Sequence, residues 1–157
     1  MTQDPTHALT LTLNAAPDAV YSQIATADGL RRWWSAGAQG SDAVDGIIRI
    51  TFREDHWTEM RIDKLDADRE VRWSCVAQHE PGFERSDEWV GTSVSFRLEP
   101  TPNGDTTLHF AHHGLVTLDC FETCRRGWDF YVGQSLRALV ETGEGKPDTP
   151  SRARTNS

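Results

Sequence analysis

Leu9, Leu11 and Leu13 alternate with Thr10, Thr12 and Asn14, the two-residue period of a strand with one buried face. The chain therefore opens on a strand. From Ala15 to Ile24 the period changes: Pro17 suits a first helical turn, Asp18 favours its positive end, and Val20 with Ile24 form an i, i+4 apolar pair. A second short helix carries Leu30, Trp33 and Trp34, with Asp28 as its expected cap, and runs out in the glycine-containing stretch from Gly37 to Gly46.

Alternation returns at Ile47. Ile48, Ile50 and Phe52 form one run, Trp57 to Leu65 a second, and Val71, Trp73, Cys75 and Ala77 a third. After a polar loop from His79 to Asp87 comes a fourth, Trp89 to Leu98, in which Val94, Phe96 and Leu98 share a face. Beyond the turn from Pro100 to Asp105, Leu108, Phe110 and His112 share a face of the last strand. Short connections between successive strands imply an antiparallel meander. Asp119 and Glu122 have the spacing of a capping box, and Phe121, Cys124, Trp128, Tyr131, Ser135 and Leu139 step by three or four residues toward Gly143, a helix stop.

This pattern predicts an α+β domain in which about six antiparallel strands curve around a long C-terminal helix, with two short helices after the first strand. Residues 1–145 make up the domain; residues 146–157 have no apolar period and are expected to form a disordered tail. A sheet bent around one helix that does not close completely leaves a pocket walled by side chains from both surfaces.

Charge narrows the partners. A net charge of −8 over 157 residues and a pI near 5.1 repel phosphate backbones and anionic bilayers, so neither nucleic acid nor membrane is expected. Three cysteines, Cys75, Cys120 and Cys124, leave one unpaired in any disulfide scheme, which together with the lack of a leader or spanning run points to a cytoplasmic protein. Six tryptophans are the compositional anomaly: they either fill an unusually aromatic core or line a hollow one.

Common catalytic motifs are missing, including Gly-Lys-Ser phosphate loops, Gly-x-Ser-x-Gly elbows and His-Glu-x-x-His. Cys120 and Cys124 stand four apart at a helix start, where a shared face and the helix dipole would favour a thiolate, but the favoured reading is a pair of plain buried thiols that pack as small hydrophobes. His112 follows Leu108 and Phe110 in parity, which makes it the best acid/base candidate and also a candidate for a histidine satisfied by Tyr131 or a backbone carbonyl. Glu59, Arg61 and Asp63 read as a solvated face that takes Trp57 with it, and Arg49 reaches the interior only if the strand register shifts by one. No catalytic set, metal site or cofactor is assigned.

Two motifs carry a resemblance. Pro17-Asp18-Ala19-Val20-Tyr21 leading to Leu30-Arg31-Arg32-Trp33-Trp34, and Gly127-Trp128-Asp129-Phe130-Tyr131 continuing to Ser135-Leu136, resemble the START-like, or helix-grip, superfamily (SRPBCC). The branch they are most similar to is the AHSA-like one, homologous to activators of the heat-shock-protein-90 ATPase. The resemblance covers about Ala8 to Gly145 and implies an apolar cavity between sheet and long helix, used across the superfamily for hydrophobic molecules, without implying a reaction.

The expected function is accordingly the binding of a small aromatic or acyl ligand. Its expected site joins the sheet residues Trp73, Trp89, Phe110 and His112 to the helix residues Cys124, Trp128 and Tyr131, with Trp33 and Trp34 at the mouth. Two alternatives stand beside it: an enzyme similar to polyketide cyclases or aromatases, and an accessory protein that regulates a partner ATPase. A homodimer is compatible with all three.

Overall fold

A computed structural model describes residues 6–53, 55–82 and 85–149. Strand β1 (His7–Leu13) leads into α1 (Pro17–Ile24) and α2 (Ala27–Trp33), followed by β2 (Gly37–Gly40), β3 (Ile47–Arg53), β4 (His56–Asp66), β5 (Glu70–His79), β6 (Ser93–Pro100) and β7 (Thr106–His113). A 3₁₀ turn, Leu115–Thr117, precedes α3 (Phe121–Phe130), which continues without a break through a π-helical stretch, Tyr131–Leu136, into α4 (Arg137–Thr142). The strands form one antiparallel sheet in the order β1-β7-β6-β5-β4-β3-β2, curved around this long composite helix in the helix-grip arrangement.

One face of each strand is apolar because its alternation is in register with its neighbours. Ile62 opposes Trp73, Trp73 opposes Val94, and Val94 opposes His112, so one row of inward side chains crosses four strands. A second row joins Val71 to Phe96, Phe110 and Leu9. The helix answers with Cys124, Trp128, Val132, Ser135, Leu136 and Leu139, all buried. Val132 and Leu136 lie outside the expected stripe and broaden it; both fall in the π-helical stretch.

The sheet has seven strands where the alternation suggests about six. The additional one, β2, is Gly-Ala-Gln-Gly, too short and too rich in glycine to show a period, and it is recognised only by its pairing with β3. Gly40 cannot be replaced there, because its φ is +136° and an added Cβ would lie 2.3 Å from the Ile47 carbonyl oxygen. Strand β6 begins at Ser93 rather than at Trp89. Residues Asp87 to Thr92 form tight turns, with Val90 N–H donating to the Asp87 carbonyl and Thr92 N–H to that of Trp89, and Gly91 takes a φ of +93°.

Caps also differ from expectation. Thr26, not Asp28, caps α2, its Oγ1 accepting from Gly29 N–H at 3.0 Å; Asp28 instead pairs with Arg32 at 3.0 Å on the exposed face. At α3 the Asp119–Glu122 box does not form. Glu88, from the turn before β6, reaches over and accepts the Cys120 N–H at 3.0 Å.

The C-terminal segment is ordered further than its composition suggests. Ser135 Oγ donates to the Trp33 carbonyl and accepts the Lys146 N–H, each at 2.7 Å. Asp148 then pairs in parallel with Ser35, its N–H on the Trp34 carbonyl and its carbonyl on the Ala36 N–H. Lys146 and Asp148 thus make backbone hydrogen bonds within the stretch expected to be a disordered tail, of which residues 150–157 lie outside the described residues.

Candidate functional site

The five interior indoles pack on one another. Trp34 stacks on Trp33 with centroids 6.0 Å apart and on Trp73 at 5.8 Å, and approaches Trp128 to 4.9 Å; Trp128 in turn stacks on Trp89 at 5.7 Å. All five are at most 7 % exposed. They convert what could have been one deep hollow into a filled core, because each ring offers two apolar faces and the rings share them. Phe96 and Phe110 extend the cluster, with Phe110 4.7 Å from Trp128.

Space survives at one end. A cavity of about 280 Å³ lies where α2, the start of β4, the end of β5 and the long helix meet, with walls of Trp34, Phe52, Trp89, Trp128 and Tyr131. His56, Thr58, Gln78 and Glu80 make its polar end, Cys124 lies in the helix wall, and Asp148 places the C-terminal segment beside it. A broader hollow of about 830 Å³ at the opposite end is walled by charged groups, among them Asp18, Asp66, Asp68 and Arg97. That wall suits water and ions better than an apolar ligand.

Of the nine residues expected at the site, Trp34, Trp89, Cys124, Trp128 and Tyr131 line the cavity. Trp33, Trp73, Phe110 and His112 do not; they are core. Trp33 has no exposed surface and donates its indole N–H to the Gln23 carbonyl at 2.8 Å, so it is not at the mouth. Phe52, His56, Gln78 and Glu80 were not legible as site residues. They belong to strand ends, where alternation stops being informative, and the cavity brings them together only because the sheet curls. Trp57 also borders the cavity while its ring lies under the Arg49 guanidinium, 4.0 Å away, and Arg49 pairs with Glu59 at 3.2 Å on the face opposite Ile48 and Ile50.

His112 is fully buried, as its parity requires, but its partners are Thr92 and Trp128 rather than Tyr131 or a backbone carbonyl. Nδ1 lies 3.0 Å from Trp128 Nε1, and Nε2 lies 2.8 Å from Thr92 Oγ1. Both ring nitrogens are committed inside the protein. Burial, aided by His113 and His7, pushes its pKa down to about 3, so the ring is neutral at physiological pH. It fixes Trp128 in place and is not available as an acid or base toward a ligand.

Residues 14–141 match the family described as activator of Hsp90 ATPase homolog 1-like protein. The chain belongs to that family. No curated protein sequence matches it. Among solved structures, the Aha1 dimer from Colwellia psychrerythraea superposes with a TM-score of 0.72 at 25 % identity, over 89 % of this chain and 98 % of that one. Protein CV1439 from Chromobacterium violaceum gives 0.69 at 23 % identity, over 87 % and 97 %. DynU16, from the dynemicin biosynthetic locus, gives 0.69 at 18 % identity, over 94 % of this chain and 51 % of that one. The last two likenesses concern the fold alone.

This member of the Hsp90 ATPase activator homolog 1-like family carries a close thiol pair in the cavity wall. Cys124 Sγ lies 3.0 Å from Cys120 Sγ and accepts the Trp89 indole N–H at 3.3 Å. Both are buried free thiols. Hydrogen bonding to Cys120 and burial push the Cys124 thiol far above its ordinary range, outweighing the helix dipole. Among the described residues, no group of three or more His, Cys, Asp or Glu side chains is arranged to hold a metal ion, and no helix is long and apolar enough to cross a membrane.

Proposed function

We propose that the protein binds a small, ring-bearing apolar molecule in the cavity at the open end of the sheet. The observation that carries this reading is that three mutually packed indoles, Trp34, Trp89 and Trp128, also border about 280 Å³ of space. An aromatic occupant would continue the packing of the rings, and apolar area would supply most of its affinity.

Volume sets the size of the ligand. A void of ~150 Å³ holds one benzene, so this cavity suits one or two fused rings rather than a folded polyketide chain. A cyclase reading also draws no support from His112, whose two nitrogens are both engaged in the core. Regulation of a partner ATPase rests on the family description alone.

Calorimetric titration with naphthalene tests the proposal. Saturable binding that Trp89→Ala and Tyr131→Ala weaken is the expected result. If neither naphthalene nor benzene binds, the cavity has no ligand role of this kind.

A further inference from the structure

Resting on that reading, we propose that the polar end of the cavity selects a ring bearing an acidic hydroxyl, a phenol or an enol. The groups at that end are few, and most of their hydrogen-bonding capacity is already assigned. Thr58 Oγ1 is engaged by Cys75 Sγ at 3.3 Å and the Ala77 carbonyl at 3.4 Å. Gln78 Oε1 accepts the Trp89 N–H at 2.9 Å, which leaves the amide NH₂ of Gln78 as a donor.

His56 and Glu80 supply the complementary acceptor. Glu80 Oε1 lies 2.8 Å from His56 Nδ1, and a carboxylate can only accept, so Nδ1 carries the hydrogen. With a single ring hydrogen, at Nδ1, the ring presents a bare Nε2. Asp55 Oδ1 lies 3.6 Å from Nε2, beyond hydrogen-bonding distance, on a side chain that is 66 % exposed. A ligand hydroxyl can therefore donate to Nε2 while the Gln78 NH₂ donates to the hydroxyl oxygen.

This pairing favours an acidic hydroxyl in particular. As the O–H bond loosens and a new N–H bond forms at Nε2, positive charge grows on the imidazole between Glu80 and Asp55, and negative charge grows on an oxygen already facing the Gln78 amide. No electron or third reactant is involved. A hydrocarbon leaves Nε2 unpaired in the cavity, and an ether brings a second acceptor to it.

The test compares 1-naphthol, 1-methoxynaphthalene and naphthalene by calorimetry against the full chain, His56→Leu and Glu80→Gln. One well-placed hydrogen bond predicts that 1-naphthol binds the unmodified protein at least about fivefold more tightly than either analogue. Both substitutions should abolish or sharply reduce that margin, read within each variant as the ratio of 1-naphthol to naphthalene affinity. Both side chains sit at the partly exposed rim, and a cooperative thermal melt reports that each variant is folded. Equal binding of the three probes, or a margin that survives both substitutions, overturns the selection and leaves the apolar cavity reading intact. Failure of all three probes to bind overturns both.

Discussion

The indole N–H of Trp128 points at Nδ1 of His112 across 3.0 Å, joining the long helix to the last strand inside the core. An indole nitrogen only donates, so Nδ1 must be bare and Nε2 must carry the ring's single hydrogen. Nε2–H then donates to Thr92 Oγ1, and the Thr92 hydroxyl donates to the Trp89 carbonyl at 2.7 Å. The polar chain runs in one direction, and every donor along it is used.

Acid should break it. The His112 pKa is about 3 in the fold against 6.5 in an ordinary histidine, so between those values the unfolded chain takes up a proton that the folded one refuses. The contribution of His112 is complete above pH 6.5 and declines as the pH falls toward 3, by up to about 1.4 kcal/mol per pH unit. Denaturant unfolding of the unmodified protein and His112→Gln, compared across this range, isolates the effect from the acidic side chains common to both. The variant should be less stable at neutral pH and should show the shallower loss; parallel pH profiles would mean that the ring is solvated.

Ser135 ties the long helix to two other segments with one hydroxyl. Ser135→Ala leaves the Trp33 carbonyl and the Lys146 N–H without this partner and should cost ~1 to 3 kcal/mol. Truncation after Gly145 should also destabilise, because it removes the Lys146 and Asp148 backbone contacts. As the two changes share a partner, combining them should cost less than their sum. Thermal melts of the four proteins check this, and an unchanged midpoint for the truncated chain would show that the segment contributes nothing to stability.

Glu88 acts as a helix cap supplied from far along the sequence. Its Oε1 takes the Cys120 N–H, and Oε2 takes the Arg85 N–H at 3.4 Å. Glu88→Ala should destabilise by ~1 to 2 kcal/mol, and Glu88→Gln, which keeps an oxygen but loses the charge, by less. Equilibrium denaturation in urea gives the ranking; a Gln variant as damaged as Ala would point to the charge, not the hydrogen bond, as the source of the effect.

Burial raises the pKa of Cys75, and the bond to Cys120 together with burial raises that of Cys124. Both should resist alkylation by iodoacetamide at neutral pH in the native protein and react at ordinary rates once it is unfolded. Mass spectrometry of the labelled peptides measures this directly. Rapid native labelling of Cys124 would mean that the cavity wall opens on the timescale of the reaction.

Much of the fold was legible because the alternation of Val71, Trp73 and Cys75, or of Leu108, Phe110 and His112, is a local property that tertiary structure only had to accept. The parity that sends His112 inward is the same property. Local pattern says nothing, however, about how large rings share a volume. Treated one at a time, five indoles seem too bulky for a solid core; stacked, Trp73, Trp34, Trp128 and Trp89 bury one another's faces, and four of the nine expected site residues become packing. The polar end was hidden for a different reason. His56 and Glu80 are 24 positions apart, at the start of β4 and just past the end of β5, and their 2.8 Å contact follows from strand register, which the bulges in the β4–β5 pairing adjust.

The continuous stack of indoles has an optical consequence. Rings whose centroids lie 4.9 to 6.0 Å apart couple their transition dipoles, so an excitation absorbed at Trp73 or Trp33 migrates through Trp34 to Trp128 and Trp89 well before it is emitted. The near-ultraviolet circular dichroism should accordingly carry exciton features that no isolated indole would give. Trp57, under its guanidinium on the opposite face of the sheet, stands outside the stack. An acceptor seated beside Trp128 would therefore darken the interior emission as a unit.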